Sequence, residues 1–217
     1  MEKTLADNLF NKGLYTVKDL SQLLGLSSQK VSRWLFGSSN SEGLYEPNLA
    51  DYNKIATFQE LIELLAIKSF LDKGVALQTV RKVKDKLIQT ENTLYPFSNL
   101  NVHTDGKKLF LQDKGNLLEP LGGQYQLEKI IRQSLKDVEF EIKKPVRWWI
   151  EGQDKGIVID PTRSFGKPID NITGIPTGVL YRAWKVNDES EEIVADDFFV
   201  TPEVVRRACE FETSLRA

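Results

Sequence analysis

The 217-residue chain is 41% hydrophobic and 28% charged, the balance of a globular protein, with a formal net charge of -2. That charge counts against coating nucleic acid along a whole surface, although a local basic face stays open. One cysteine, Cys209, excludes an internal disulfide, and one histidine, His103, excludes a metal centre built from several histidines.

In chain order, the first third reads as helical. Thr16 caps a helix through Val17, Leu20, Leu23 and Leu24, with Asp19 three residues after the cap. Gly25 supplies a left-handed stop. Ser27 caps a second helix, and Leu26 and Val31 form a hydrophobic staple across that cap. A loop rich in Ser, Asn and Gly follows. Thr57 and Glu60 then make a capping box for a helix with an apolar stripe of Leu61, Leu64, Leu65, Ile67 and Leu71, closed by Gly74. Val80, Val83 and Leu87 mark a shorter helix.

The middle changes character. Asp105-Gly106 between NVHT and KKLFLQ signals a hairpin. One more helix is expected around Leu127, Ile130, Ile131 and Leu135, then short strands at VEFEI, RWWI and GIVID. Adjacent Trp148 and Trp149 point to opposite faces of a strand, one into a core and the other toward a partner or a second module. Residues 160–176 are punctuated by Gly and Pro and read as loop or turn. Three helices close the chain. Pro176 and Thr177 open the first, Ser190 caps the second, and Thr201 caps the third, with Pro202 at its first position. Val204, Ala208, Phe211 and Leu215 repeat in the third at heptad-like spacing, which suits its own core or a dimer seam.

The segment TVKDLSQLLGLSSQKVSRWLF has the form of a helix-turn-helix. In its second helix Val31, Trp34 and Leu35 share one side and pack on the first helix. Ser28, Gln29, Ser32 and Arg33 share the other and suit DNA: Gln pairs with adenine, Arg with guanine or phosphate, Ser with either. Lys30 is assigned to phosphate, and the caps Thr16 and Ser27 belong to the same expected interface. The plainer alternative is a helical hairpin that only buries a core. Arg81, Lys82, Lys84 and Lys86 form a basic run that either follows a DNA backbone or is a solvated face.

This front resembles the N-terminal domain of MerR-type regulators, in which a helix-turn-helix is followed by a wing and a helix pair. ATFQELIELLAIKSFLDKGVALQTVRKV is similar to that helix pair, including the Gly-Val-x-Leu start of the last helix. The wing candidate, NSEGLYEPNLADYNK, lacks the arginines such wings usually carry, so Tyr45 and Lys54 are its only phosphate contacts. From Gly156 to Leu215 the chain resembles the antitoxin-associated domain of VapB-like antitoxins, through GIVIDP, FGKP, GIPTGVLYRAW and EEIVADDFFVTPEVVRRACEFE. The middle piece YPFSN to TDGKKLFLQ is similar to what one branch of that family carries. The resemblance implies a compact three-helix module paired with a PIN-like ribonuclease toxin.

The residues of that module favour interaction over chemistry. Its second helix carries Glu191, Glu192, Asp196 and Asp197, preceded by Asp188 and Glu189. Such a surface repels phosphates and fits a basic protein surface, or is simply solvated. FGKP lacks P-loop spacing and reads as a structural turn. No catalytic constellation is legible, and no cofactor or metal is expected. No stretch is apolar for long enough to span a bilayer, and acids stand where a signal peptide would have its apolar core, so a cytoplasmic protein is expected.

The expected architecture is α+β and mainly helical. A MerR-like winged helix-turn-helix occupies residues 1–95, a small β-containing connecting region 96–155, and an antitoxin-associated three-helix module 156–217. The expected function is that of a DNA-binding antitoxin, a homodimer on double-stranded operator DNA that neutralises the toxin and represses its own operon. The rival is a MerR-type regulator that responds to a small ligand.

Overall fold

The computed structural model describes residues 12–39, 41–44, 55–99, 125–142 and 144–216. The expected hairpin at Asp105-Gly106, His103, and the wing residues Tyr45 and Lys54 lie outside these residues.

The front is organised by short-range caps. Strand β1 (Tyr15–Thr16) leads into helix α1 (Val17–Leu24), and Gly25 ends it at φ 60°. Ser27 accepts from the Lys30 amide and starts α2 (Ser28–Phe36). Strand β2 (Ile55–Ala56) pairs antiparallel with β1, Tyr15 opposite Ala56. Helices α3 (Phe58–Asp72) and α4 (Leu77–Glu91) follow. At 15 residues α4 is as long as α3, not the shorter helix expected from three valine and leucine positions.

Helix α3 departs further from its sequence pattern. Ile62, Ala66 and Phe70 are buried along with Leu61, Leu64 and Ile67, so its buried side is wider than the expected stripe, while Leu65, Lys68 and Ser69 stay half-buried and Asp72 exposed along one face. Two acids are buried with it. Glu60 closes the capping box with Thr57 and accepts from the Tyr95 hydroxyl at 3.2 Å, and Glu63 accepts the Ser98 amide at 2.6 Å. These bonds offset the cost of burying the carboxylates and fasten residues 95–98 across α3. Burial, reinforced by the Glu60 charge, holds the Tyr95 hydroxyl above its ordinary pKa.

After α5 (Tyr125–Ser134) comes a four-stranded antiparallel sheet in the order β3-β4-β5-β6. Its strands are β3 (Val138–Glu141), β4 (Lys144–Trp149), β5 (Ile157–Ile159) and β6 (Pro168–Asp170). The sheet therefore joins strands from both sides of residue 156. Register sorts the tryptophans as strand alternation requires. Trp148 stands opposite Val138 and Ile159 and enters the core that holds Tyr15, Trp34 and α3; Trp149 stands opposite Val158, which pairs with Ile169, on the other face. Both are buried, and the Trp149 indole donates to Glu139 at 2.7 Å. Trp149 thus packs on strands beyond residue 156, in line with the second of the two expectations for it, and is not an exposed anchor. Strand β6 lies in the stretch read as loop; it has three residues and starts with proline, tolerated at a sheet edge.

The last three helices, α6 (Thr177–Val186), α7 (Glu191–Phe198) and α8 (Pro202–Ser214), enclose a second core of Leu180, Val194, Ala195, Val205 and Cys209. Val204 and Ala208 of the heptad-like repeat belong to that core, and Phe211 is buried too, so the repeat serves the module's own packing. Burial, with help from Glu191 and Glu212, pushes the Cys209 thiol up to about 11.

Buried carboxylates tie these layers together. Asp160 accepts from Arg147 at 3.1 Å and from the Thr162 hydroxyl at 2.6 Å. Asp170 on β6 pairs with Arg207 on α8 and accepts from Thr173. Burial raises both carboxyls, but hydrogen bonds from threonine and arginine overcome it and leave both below the ordinary value. A depressed folded pKa means that the unfolded chain binds protons first. Stability from these groups is therefore complete above the unfolded carboxylate value, about 4, and drains away as pH falls through the folded values. Thermal melts should be flat between about pH 5 and 7 and fall steeply below about 4. A melting temperature that instead rises on acidification would contradict this.

Candidate functional site

Helix α2 meets the rest of the front through Val31, Trp34 and Leu35, all at most 2% exposed. The same period turns Ser27, Ser28, Gln29 and Arg33 to the exterior, with Lys30 and Ser32 half-buried beside them. Gln29 and Arg33 engage no other described side chain. Lys30 lies 5.0 Å from the Trp34 ring centre, a cation–π contact that steadies its ammonium at the edge of the flank. The first turn of α2 has no acid, so its open amides and the positive end of the helix are available to an anion.

The start of α1 differs. The Thr16 hydroxyl donates to Asp19 at 2.8 Å and the Thr16 amide at 2.9 Å, while the Asp19 amide returns to the hydroxyl. Thr16 is thus engaged in its own cap, beside a carboxylate. The sequence singles out Thr16, Ser27, Ser28, Gln29, Lys30, Ser32 and Arg33; the structure brings the last six together on one helix and sets Thr16 apart at the other. Tyr45 and Lys54 fall outside the described residues.

Two residues of the basic run on α4 serve the fold itself. Arg81 donates to the Gly43 and Glu42 carbonyls at 3.1 and 2.8 Å, and Lys84 donates to the Leu44 carbonyl. With the Leu44 amide bonded to the Trp34 carbonyl at 2.6 Å, these contacts pin the chain leaving α2. Lys82 alone of the four is exposed.

FGKP is a turn, as expected, and also a fastening to the front. Ser164, Phe165 and Gly166 all have positive φ. The turn presents the Phe165 carbonyl to the Leu14 amide at 3.1 Å and the Gly166 carbonyl to the Tyr15 hydroxyl at 2.9 Å. Lys167 reaches Asp19 at 3.1 Å. Burial raises the Asp19 carboxyl, but the Thr16 bonds and Lys167 together bring it below the ordinary value. A Cβ on Gly166 would stand 2.3 Å from the Tyr15 oxygen at a φ of 77°, so Gly166→Ala is expected to cost about 1–3 kcal/mol and loosen the front. Thermal denaturation with limited proteolysis near residues 13–15 reads it, and an unshifted melt would refute the fastening.

Behind α1, this fastening leaves a cleft of about 300 Å³ between the front and the C-terminal helices. Tyr15, Asp19, Gln22 and Leu23 form one wall, and residues of α6 and α8 form the other. Nothing in local sequence signals it, because its walls are far apart in the chain.

A second surface lies on α7. Glu191 is taken up by Arg206 through bonds of 2.7–3.2 Å, and Glu189 by Lys185 at 2.5 Å. The acids left facing outward are Asp188, Glu192, Asp196 and Asp197, and beside them Ile193 and the fully exposed Phe199. No group of three or more His, Cys, Asp or Glu among the described residues could hold a metal ion, and no described helix is long and apolar enough to cross a membrane.

No protein-family model matches the chain. A Mycobacterium tuberculosis protein named "Putative antitoxin VapB45" is 23% identical over 226 residues, covering 92% of this chain and 93% of that protein. The crystal structure of Rv2018 from Mycobacterium tuberculosis superposes with a TM-score of 0.69 at 20% identity, over 92% of this chain and 98% of the other. At that identity the likeness establishes a shared fold.

Proposed function

We propose that the chain is the DNA-binding antitoxin of a toxin–antitoxin pair, which represses its own operon through α2 and neutralises a PIN-like ribonuclease toxin through its C-terminal module. The observation that carries the DNA half is the outward flank of Ser28, Gln29 and Arg33 on a helix whose opposite side is locked into the core. Groups of this kind read base edges in the major groove, and the acid-free helix start beside them suits a phosphate. A homodimer would present two such helices to two half-sites.

The toxin half is supported by the likeness to the mycobacterial relative and by the outward acids of α7. Asp188, Glu192, Asp196 and Asp197 complement the basic cleft of an RNA-cutting enzyme, and Ile193 and Phe199 add apolar area to the same surface. In this reading the chain performs no chemistry.

The test has two arms. Mobility shift with the chain's own upstream DNA should give a specific complex that competitor DNA does not dissolve. Co-expression with the adjacent open reading frame should yield a co-purifying complex with suppressed ribonuclease activity. Failure of the first removes gene control; failure of the second removes neutralisation.

A further inference from the structure

The cleft behind α1 takes no part in the DNA flank or the acidic face, and its charges do not balance. Lys167 answers Asp19, and Arg216 answers Glu212, which also accepts from Thr177. Arg182 has no hydrogen-bond or ion-pair partner among the described residues, and the side-chain amide of Gln22 on the opposite wall is likewise unengaged. Three cations against two carboxylates leave one positive charge. Between the polar groups the surface is apolar, formed by Leu23, Pro168, Pro176, Val179 and Leu215. Gly178 keeps the floor open: a Cβ there would start 3.4 Å from Glu212 and 3.7 Å from Arg182.

We infer that this cleft binds a small organic monocarboxylate, its carboxylate on Arg182 and Gln22 and its apolar body against Leu23, Val179 and Leu215. A guanidinium matches a carboxylate with two parallel hydrogen bonds. A single negative charge neutralises the cleft, whereas a dianion leaves a surplus beside Asp19 and Glu212. The volume, about 300 Å³, sits at the lower end of ligand cavities and admits roughly a one-ring molecule. Because α1 forms one wall and α6 the other, the bound molecule braces the helix-turn-helix against the C-terminal module. The site stands independently of DNA or toxin binding.

Calorimetry on the full chain, without DNA, tests this with benzoate and hexanoate as probes. Benzamide serves as the uncharged counterpart and inorganic phosphate as the compact anion. Expected is saturable binding of at least one carboxylate with a dissociation constant of about 1 mM or tighter, and benzamide and phosphate about tenfold weaker or worse. Arg182→Ala should weaken the carboxylate about tenfold or more without shifting the melt, since Arg182 holds nothing in place. Gly178→Leu keeps every charge but fills the cleft, and should abolish binding. No binding of either carboxylate, phosphate binding as tightly as the carboxylate, or unchanged binding in both variants would overturn the site.

Discussion

Replacing Gln29 and Arg33 together with alanine is expected to weaken binding to the chain's own upstream DNA by about 2–6 kcal/mol, roughly 30-fold to more than 10⁴-fold, if each reads a base at about 1–3 kcal/mol. The two residues are four apart on α2 and face the same way. Both are exposed and bonded to no other described side chain, so the fold should lose no more than about 0.5 kcal/mol. That separates a lost contact from a lost structure. Lys30→Ala should act differently, weakening all sequences alike and lowering the salt slope by about one, as expected for a phosphate contact. Mobility shift at two fixed salt concentrations reads both effects. Full affinity in the double variant would end the base-reading assignment, leaving the helix pair as a core-forming hairpin.

Asp170→Asn is expected to destabilise the protein by about 3–5 kcal/mol, the cost of removing one partner from a buried ion pair. Asp170 is 1% exposed on β6 and faces Arg207, whose Nε is already buried without a partner. Asparagine keeps the shape and the Thr173 bonds but leaves the guanidinium without its anion. For a chain of this size the melting temperature should fall by about 6–20 °C. The exposed pair Lys185–Glu189 supplies the control, since solvent screens it and breaking it should leave the melt nearly unchanged. Equal melts for the two variants would show that the Asp170 clasp carries no special weight. The same variant should soften the loss of stability below about pH 4, because one of the titrating carboxylates is gone.

The two predictions differ in how visible their residues are in the sequence. Caps are legible because donor and acceptor lie within four residues. Thr16 with Asp19, Ser27, Gly25, Thr57 with Glu60, and Ser190 all form as their local patterns dictate. The flank of α2 follows from the same kind of rule: once the helix begins at Ser28 and buries Val31, Trp34 and Leu35, its period fixes where Gln29 and Arg33 point.

Other features answer to partners distant in sequence. Arg81 and Lys84 look like a basic face until the chain folds back and offers carbonyls 38–40 residues upstream. Helix α3 shows a stripe in sequence yet buries a wider side than that stripe, since the burial of Ile62 and Phe70 depends on what packs around the helix. Trp149 reads either as a partner-facing anchor or as a bridge between modules until β6, too short to announce itself, supplies Ile169 beneath it.

The amino-acid order by itself determined the helices, their caps and the outward flank of α2, because each rests on hydrogen bonds and periodicity within one or two turns. Tertiary structure alone decided the fastening of Tyr15 to Gly166 and of Asp19 to Lys167, across separations of 151 and 148 residues, and with it the charged cleft behind α1. No local pattern specifies such contacts, for their strength comes from burial and close approach that exist only once both ends of the chain have met.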